Sequence, residues 1–586
     1  MNTKIYNKMK AAAATLLLVA PCSLMLSSCS DFLDEQVPQG TLSDEQVNTP
    51  AYVDKQVTAA YAIFVTAEDI NASFSLWNYD VRSDDAYKGG STTNDGDVFH
   101  QLEVSQGILS TSWNLNDIWV RLYNSLSRVN AAIHAVENCD DSYTLKQERL
   151  GELRFLRAYA HFQLKRLFKK IPFVLRTDLT YDEYGQITNT EFTNDEGWGK
   201  IAEDLEWAYN VLPVKQADKG RPTKAACAAF LAKVYLYKAY RQDNENTNEV
   251  TSINEDDLRK VVEYTAPAIY TAGGYALESD IHNNFRPEEQ FENGCESIWA
   301  IQYSRNDGTK YGNLNLGYGL ICPNIVNVTD GGCDFYKPSQ NLVNAFRTGA
   351  DGLPLLDDYN KADYDMATDN ADPRLFLTVG MPGLPYMFNT KFMMDRSSSW
   401  SRSGGLYGYY VTLKHNVDPA LLNTYLIKSS FWASSMNRIV FRYADVLLMR
   451  AEAEAQLGNT GEAINLVNQI RTRAAGSTQM ISGYPSKYGV KFYCKNYSGS
   501  FSKEQTMKIV KMERRLELAM ESERFLDLVR WGEAAKVLND YYAVEKSKCN
   551  IYEEAKFTAN KNEYLPIPYQ QFSAANGNYK QNCGNW

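Results

Sequence analysis

The sequence has no Cys-x-x-Cys pair and no His-Glu-x-x-His, and its five histidines, His100, His134, His161, His282 and His415, lie far apart. These absences exclude a zinc ribbon, a thioredoxin-like redox site and a zincin-type centre, so no metal and no other cofactor is expected. Long basic runs are missing too. Against 60 Lys and Arg stand 71 Asp and Glu, a net charge of −11, which argues against a nucleic-acid partner. Beyond the first residues, no stretch is apolar for the roughly 20 residues a membrane-crossing helix needs. The cysteines after Cys22 and Cys29 are Cys139, Cys227, Cys295, Cys322, Cys333, Cys494, Cys549 and Cys583. Their even number permits disulfides in an oxidising compartment, but a chain of 586 residues does not depend on them, and buried free thiols are expected.

What the chain does have begins with Lys4, Lys8 and Lys10 ahead of an apolar run from Ala11 to Ala20 that ends near Pro21. That run is too short to cross a bilayer and reads as the core of a secretory signal peptide. Leu26-Ser27-Ser28-Cys29 then has the form of a bacterial lipobox, in which the cysteine thiol is acylated and the peptide is cut just before it. Cys22 follows Pro21, a poor cleavage context. Residues 1–28 are therefore expected to be a signal peptide and Cys29 a lipidated N-terminus, the alternative being ordinary cleavage elsewhere with a free cysteine. Each buried methylene contributes about 0.8 kcal/mol, and more than one acyl chain gives stable anchoring to a membrane the protein does not cross. Residues 29–45, with Asp31, Asp34, Glu35, Pro38, Gly40 and Ser43, read as a polar tether, and 46–586 as one body.

Helical spacing is plain in several places. Trp119, Leu122, Leu126, Val129 and Ile133 step by three or four, as do Leu153, Leu156, Ala160, Leu164 and Leu167 before the stop Lys169-Lys170-Ile171-Pro172. Ala225, Ala229, Ala232, Leu236 and Ala239 form a stripe small enough for close helix approach. Leu447, Ala451 and Ala455, then Gly458-Asn459-Thr460-Gly461, then Ala463, Val467 and Ile470 describe a tetratricopeptide-like hairpin. Such hairpins must stack to bury their faces, so about four are expected in one curved scaffold. The fold class is thus mostly α, with a loop-rich, partly β insertion at about 274–440, where Gly, Asn and Tyr accumulate around strand-like runs such as 297–303. Residues 70–112 read as a second loop of this kind.

In order along the chain, several stretches resemble the SusD/RagB family of outer-membrane lipoproteins of Bacteroidetes. They are the lipobox followed by Asp31-Phe32-Leu33, LRFLRAYAHFQLKRLFKKIPFV (153–174), RPTKAACAAFLAKVYLYKA (221–239), Asp372-Pro373-Arg374-Leu375, RYADVLLMRAEAEAQLG, ERRLELAMESERFLDLVRWG (513–532), Tyr564-Leu565-Pro566-Ile567-Pro568 and Gln581-Asn582-Cys583-Gly584. Lys169-Lys170 replaces the family's Gly-Asp, and Cys583 its proline. The acidic segment after Cys29 also resembles the surface-export signals of such lipoproteins. The resemblance implies a helical scaffold outside the outer membrane. It further implies a non-enzymatic role, capturing glycans as a lid on a SusC-like TonB-dependent transporter, with the helices toward the transporter and the loops toward substrate. The RagB branch implies an alternative, capture of peptides on the same scaffold. A surface hydrolase and a purely structural subunit of the transporter complex are further classes.

Glu517 and Glu521 could be read as a glycosidase acid and base. Residues one turn apart among arginines lack the open cleft and raised pKa a general acid requires, so ion pairing is the expectation. A pyranose packs its C–H face on an aromatic ring and its hydroxyls against short polar groups. Aromatics, 39 Tyr and 10 Trp, exceed what a core usually needs. Two loop stretches combine these residue types, in the regions where the resemblance puts the ligand. Trp77, Asp84, Tyr87 and Trp113, with Asn116, come from the first, and Tyr303, Arg305, Asn306, Tyr311 and Tyr318 from the second. A lone Trp is more often core than platform, Asp84-Asp85 could brace the fold instead, and Trp299 is expected to be buried. The turn holding Asn94, Asp95 and Asp97 lacks the full spacing of a calcium loop and reads as solvated.

Overall fold

The computed structural model describes residues 49–586 except 309–313, 316, 326–331 and 429–431, and for 66–79 and residues 181 and 428 it describes the backbone alone. The leader, Cys29, the tether and Tyr311 lie outside the described residues, as does the side chain of Trp77.

The helices follow from apolar spacing and local caps. In α1 (Pro50–Tyr79) Val53, Val57, Ala60 and Phe64 bury one face. Trp77 therefore lies in the last turn of a helix and not in a loop, because nothing after Pro50 interrupts the helical run. After β1 (Ala86–Gly89) and the short α2 (Asp97–Val104) comes α3 (Trp113–Glu137), whose Trp119, Leu122, Leu126, Val129 and Ile133 are all buried. Next, α4 (Lys146–Phe168) stops where Lys169 turns to φ +52°. A reciprocal capping box, Thr193 with Glu196, starts α5 (Asn194–Val211). The alanine-rich α6 (Lys224–Ala239) begins at a Thr223 cap and is followed by α7 (Glu255–Tyr264). Downstream, α8 (Tyr443–Gln456) and α9 (Thr460–Gly476) are joined through Gly458 at φ +89°, a conformation glycine adopts without strain.

The long helices pack on one another in series. α1 lies on α3, α3 on α4, α4 on α5, α5 on α6, and α6 on both α7 and α8, while α8 packs on α9 and on α10 (Lys503–Glu517). This is the stacked helical scaffold the alanine stripes anticipate, with a continuous apolar core from Val53 to Ile567. The loop-rich insertion leaves it through β2 (Ser297–Ile301) and returns through β3 (Arg438–Arg442). These strands pair antiparallel, Ile301 opposite Arg438 and Ser297 opposite Arg442, so one two-stranded sheet ties both ends of the insertion to the scaffold. Trp299 is buried in it, with its indole N–H donated to the Gly220 carbonyl at 2.9 Å. Of the cysteines, Cys139, Cys227, Cys322 and Cys494 are buried thiols, Cys333, Cys549 and Cys583 are half-buried, and Cys295 is exposed.

The 513–532 stretch is not one helix. α10 ends at Glu517, Met520 and Ser522 take φ +61° and +70°, and α11 (Arg524–Arg530) starts afresh. Buried charges direct the break. The Ser522 N–H is held by the Asp80 carboxylate at 2.8 Å, and Glu521 pairs with Lys414 at 2.6 Å and Arg442 at 2.8 Å.

Candidate functional site

Four of the nine residues expected to meet ligand, Asp84, Tyr87, Tyr303 and Tyr318, serve the interior instead. Asp84 is 1% exposed and bridges Arg515 (3.0 Å) and Arg524 (2.9 Å), while Asp85 pairs with Arg515 at 2.7 Å. Burial alone would raise the Asp84 carboxyl, but the two guanidinium groups outweigh it and hold its pKa at about 2. Asp84 is thus a brace between β1 and α10–α11. The buried Tyr87 donates its hydroxyl to Glu545 at 3.0 Å and accepts the Gln340 N–H at 3.2 Å. Tyr303 is buried beyond the end of β2, its N–H held by Asn437 at 2.8 Å. Tyr318, 1% exposed, packs with Cys322, Val417, Leu422 and Leu426. A sugar ring cannot reach these side chains, so the structure corrects their assignment as ligand contacts. Arg305 is half-buried and Asn306 exposed, at φ +57°, in a turn closed by Ser304 donating to Asp307 at 2.7 Å. Nothing places that turn beside the remaining candidate, Trp113.

Trp113 is exposed, and it is not alone. Among the described residues the three most exposed large apolar side chains are Leu109 (58%), Trp113 (56%) and Tyr569 (56%), and they share one place. Trp113 is the first residue of α3, steadied by an edge-to-face contact with Phe99 of α2 at 6.5 Å and 85°. Leu109 lies in the loop, residues 105–112, that leads into α3. Tyr569 arrives from the far end of the chain. Leu565 donates its N–H to the Leu167 carbonyl at 2.8 Å, Pro568 turns the backbone, and the Tyr569 N–H bonds the Ser110 carbonyl at 2.9 Å. One residue pair further on, the Gln571 amide donates to Asn116 Oδ1 at 2.9 Å, locking α12 (Tyr569–Ala574) onto α3. The backbone thus brings one exposed Trp, one exposed Tyr and one exposed Leu to the same end of α3, near two carboxamides that bond each other. Exposed apolar groups clustered this way, with a polar rim, mark an interaction site. It offers a flat ring for a C–H face and amide groups for hydroxyls.

Leu109, Tyr569 and Gln571 were not among the candidates read from sequence. Tyr569 directly follows the motif Tyr564-Leu565-Pro566-Ile567-Pro568, all five residues of which are buried. An aromatic just past a proline that ends a buried run was the available signal.

Glu517 is fully enclosed, whereas Glu521, partly exposed, lines a small cavity with His415, Asn437 and Arg438, where, against the effect of burial, Arg442 and Lys414 hold its carboxyl below the usual range. Glu517, 0% exposed, meets Arg374 at 2.9 Å, Arg442 at 2.6 Å and Arg473 closer still. Burial would raise its pKa, but Arg473, Arg442 and Arg374 hold it well below the usual carboxylate range. Neither carboxylate can work as a general acid there.

Comparison with known proteins agrees with this architecture. A family model described as the SusD family matches residues 295–586, and one described as starch-binding associating with outer membrane matches 31–236. "SusD-like protein P2" of Formosa agariphila is 25% identical over 560 residues, 93% of this chain and 94% of that protein. Among solved structures, a SusD homolog from Bacteroides thetaiotaomicron superposes with a TM-score of 0.68 at 18% identity, covering 92% of this chain and 97% of that one. A laminarin-binding SusD-like protein does so with 0.62 at 22%, covering 90% and 99%. The stacked helices, the insertion closed by a strand pair and the two matched halves lead to one family: the chain belongs to SusD/RagB.

Proposed function

We propose that this protein is a non-enzymatic glycan-binding lipoprotein of the outer membrane, exposed at the cell surface, that captures saccharide and delivers it to a SusC-like TonB-dependent transporter. The observation that carries the proposal is the exposed Leu109–Trp113–Tyr569 surface with the Asn116–Gln571 amides at its border. Similarity to a laminarin-binding protein and to a starch-binding, outer-membrane-associated family supports the ligand class and the location. In this scheme residues 1–28 are removed, lipidated Cys29 anchors the chain, 29–45 tether it, and the body from 46 onward presents its helices to the transporter and its loops to glycan. The half-exposed Arg305–Asn306 turn, Trp77 and Tyr311 are secondary candidates for ligand contact.

Calorimetric titration of the purified protein against plant, microbial and host glycans and a peptide pool tests this. Saturable binding of one polysaccharide that is lost in Trp113→Ala, with the variant still folded, is the expected result. Binding of peptides alone would replace glycan capture by peptide capture. Silence against both pools, with Trp113→Ala disrupting transporter association, would make the surface a protein interface.

A further inference from the structure

Loop 89–97, between β1 and α2, is folded around an ammonium group that the chain itself supplies. Lys88 is fully buried, and its Nζ donates to three backbone carbonyls, those of Gly89 (2.9 Å), Thr92 (2.9 Å) and Asp95 (2.7 Å). An ammonium has three protons, so every donor is used. The rings of Phe335 and Tyr407 lie 5.3 and 5.2 Å from the nitrogen, within cation–π range. The backbone is shaped for this enclosure. Gly89 and Gly90 sit at φ +79° and +77°, and a Cβ on them would come within 2.4 Å of the Asp334 carbonyl oxygen and 2.2 Å of the Phe335 ring. The Asp95 carboxylate is engaged elsewhere, accepting from the N–H and hydroxyl of Ser91, both at 2.9 Å, and pairing with Arg402 at 3.1 Å.

Convergent backbone carbonyls in a tight turn are an oxygen set of the kind that hard cations use. The turn is therefore not simply solvated, as its sequence suggests; it holds a cation that cannot diffuse away. We propose that Lys88 is a built-in cation that closes loop 89–97 in place of a bound metal ion, and that it thereby positions α2 and the Phe99 edge on which Trp113 rests. The link to α2 is direct. The Lys88 N–H donates to Glu103 Oε1 at 2.9 Å, and the same carboxylate takes the Tyr552 hydroxyl at 2.9 Å and meets His100 Nδ1 at 2.9 Å. The charged groups facing Lys88 are Glu103, Asp95, Arg402 and Asp97; burial pushes its pKa down to about 8, so the ammonium still carries its charge at neutral pH. The part of the proposal that concerns Trp113 rests on glycan capture, whereas the part that concerns the loop does not.

Hydrogen exchange of the 90–96 amides tests it in the full-length protein. Lys88→Met keeps the packing length and removes the donors, and Lys88→Ala opens room for a small amine. Exchange in the loop is expected to speed up at least about tenfold in both variants, since three hydrogen bonds to one charge are lost together. In Lys88→Ala, n-propylammonium should restore protection, and tetramethylammonium, which has no N–H, should not. Wild-type exchange in Lys88→Met, or equal rescue by both amines, would overturn the proposal. Should neither variant fold, acetylation of the native wild type decides: Lys88 reacting as fast as the exposed Lys536 would overturn it, and resistance that disappears only with global unfolding would support it. A loosened loop in a protein whose wild type binds no glycan would sink glycan capture and leave the built-in cation standing.

Discussion

Replacing Glu517 by Gln keeps the shape of a fully buried side chain and removes the one charge shared by three arginines. Arg374 would retain Asp372 (2.8 Å) and Glu513 (2.8 Å), Arg442 would retain Glu296 (2.7 Å) and Glu521 (2.8 Å), and Arg473 would retain only Glu296 (3.0 Å). Breaking a buried pair by removing one partner costs about 3–5 kcal/mol. Because every arginine keeps at least one carboxylate, the expected loss lies near the lower bound, about 3 kcal/mol. Denaturant unfolding at pH 7 measures it, and a double-mutant cycle with Arg473→Met should return a coupling of at least about 1 kcal/mol. The sign with pH follows from the lowered pKa. A carboxylate depressed in the folded state adds stability that is present above its unfolded value, 4.5, and is lost as pH falls toward the folded value, so Glu517→Gln should flatten the acid side of the stability curve below pH 4.5. A variant within about 0.5 kcal/mol of wild type at pH 7, with an unchanged acid limb, would refute the view that this network braces the fold.

Trp113→Ala removes a ring that a pyranose would cover over roughly 80 Å², worth about 2 kcal/mol at 25 cal/mol per Å², so glycan affinity should fall about 30-fold by calorimetry while the melting temperature stays put. Tyr87→Phe should do the reverse, leaving glycan binding intact and costing about 1 kcal/mol in denaturant unfolding, because Glu545 loses its buried donor. Asp80 behaves oppositely to Glu517. Burial and the nearby Asp85 raise its pKa from 3.8 to about 7, so the folded state binds the extra proton and stability falls as pH rises from 3.8 to 7. Asp80→Asn should accordingly stabilise the protein at pH 8 relative to wild type and change little at pH 4, read as thermal unfolding at the two pH values.

The scaffold was legible because its signals are local. The stripes of α3, α4, α6, α8 and α9 step along one face each, and all of them bury that face. The site was mostly illegible because its signals are not. Asp84, Tyr87 and Tyr318 have the residue types of a sugar site in a loop-like context, but their partners are Arg515 and Arg524, Glu545, and an apolar cluster around Val417, each remote in sequence. Nothing within a window of twenty residues distinguishes an aspartate facing a hydroxyl from one facing a buried guanidinium. The same holds for the break at 518–523, where helix-forming residues yield to Asp80, Lys414 and Arg442. Trp113 carried no more signal in the sequence than the other candidates, being one aromatic among short polar residues.

The position of the exposed surface follows from how the chain closes. Residues 109–116 and 569–571 come together only because the C-terminal segment threads back along α4, fixed at Leu565 to Leu167, and meets the loop at Ser110. Each contact is a backbone hydrogen bond or a carboxamide pair, groups that specify where the segment lies without depending on which side chain stands at 109, 113 or 569. The scaffold thus fixes the place of the platform by backbone geometry and leaves Leu109, Trp113 and Tyr569 more than half exposed. Buried arginine–carboxylate pairs do the opposite: removing Asp84 or Glu517 alone costs the fold about 3–5 kcal/mol. A change of ligand would therefore be made at the exposed trio and their amide neighbours, and the acids that look most like ligand contacts in the sequence are the residues that must stay.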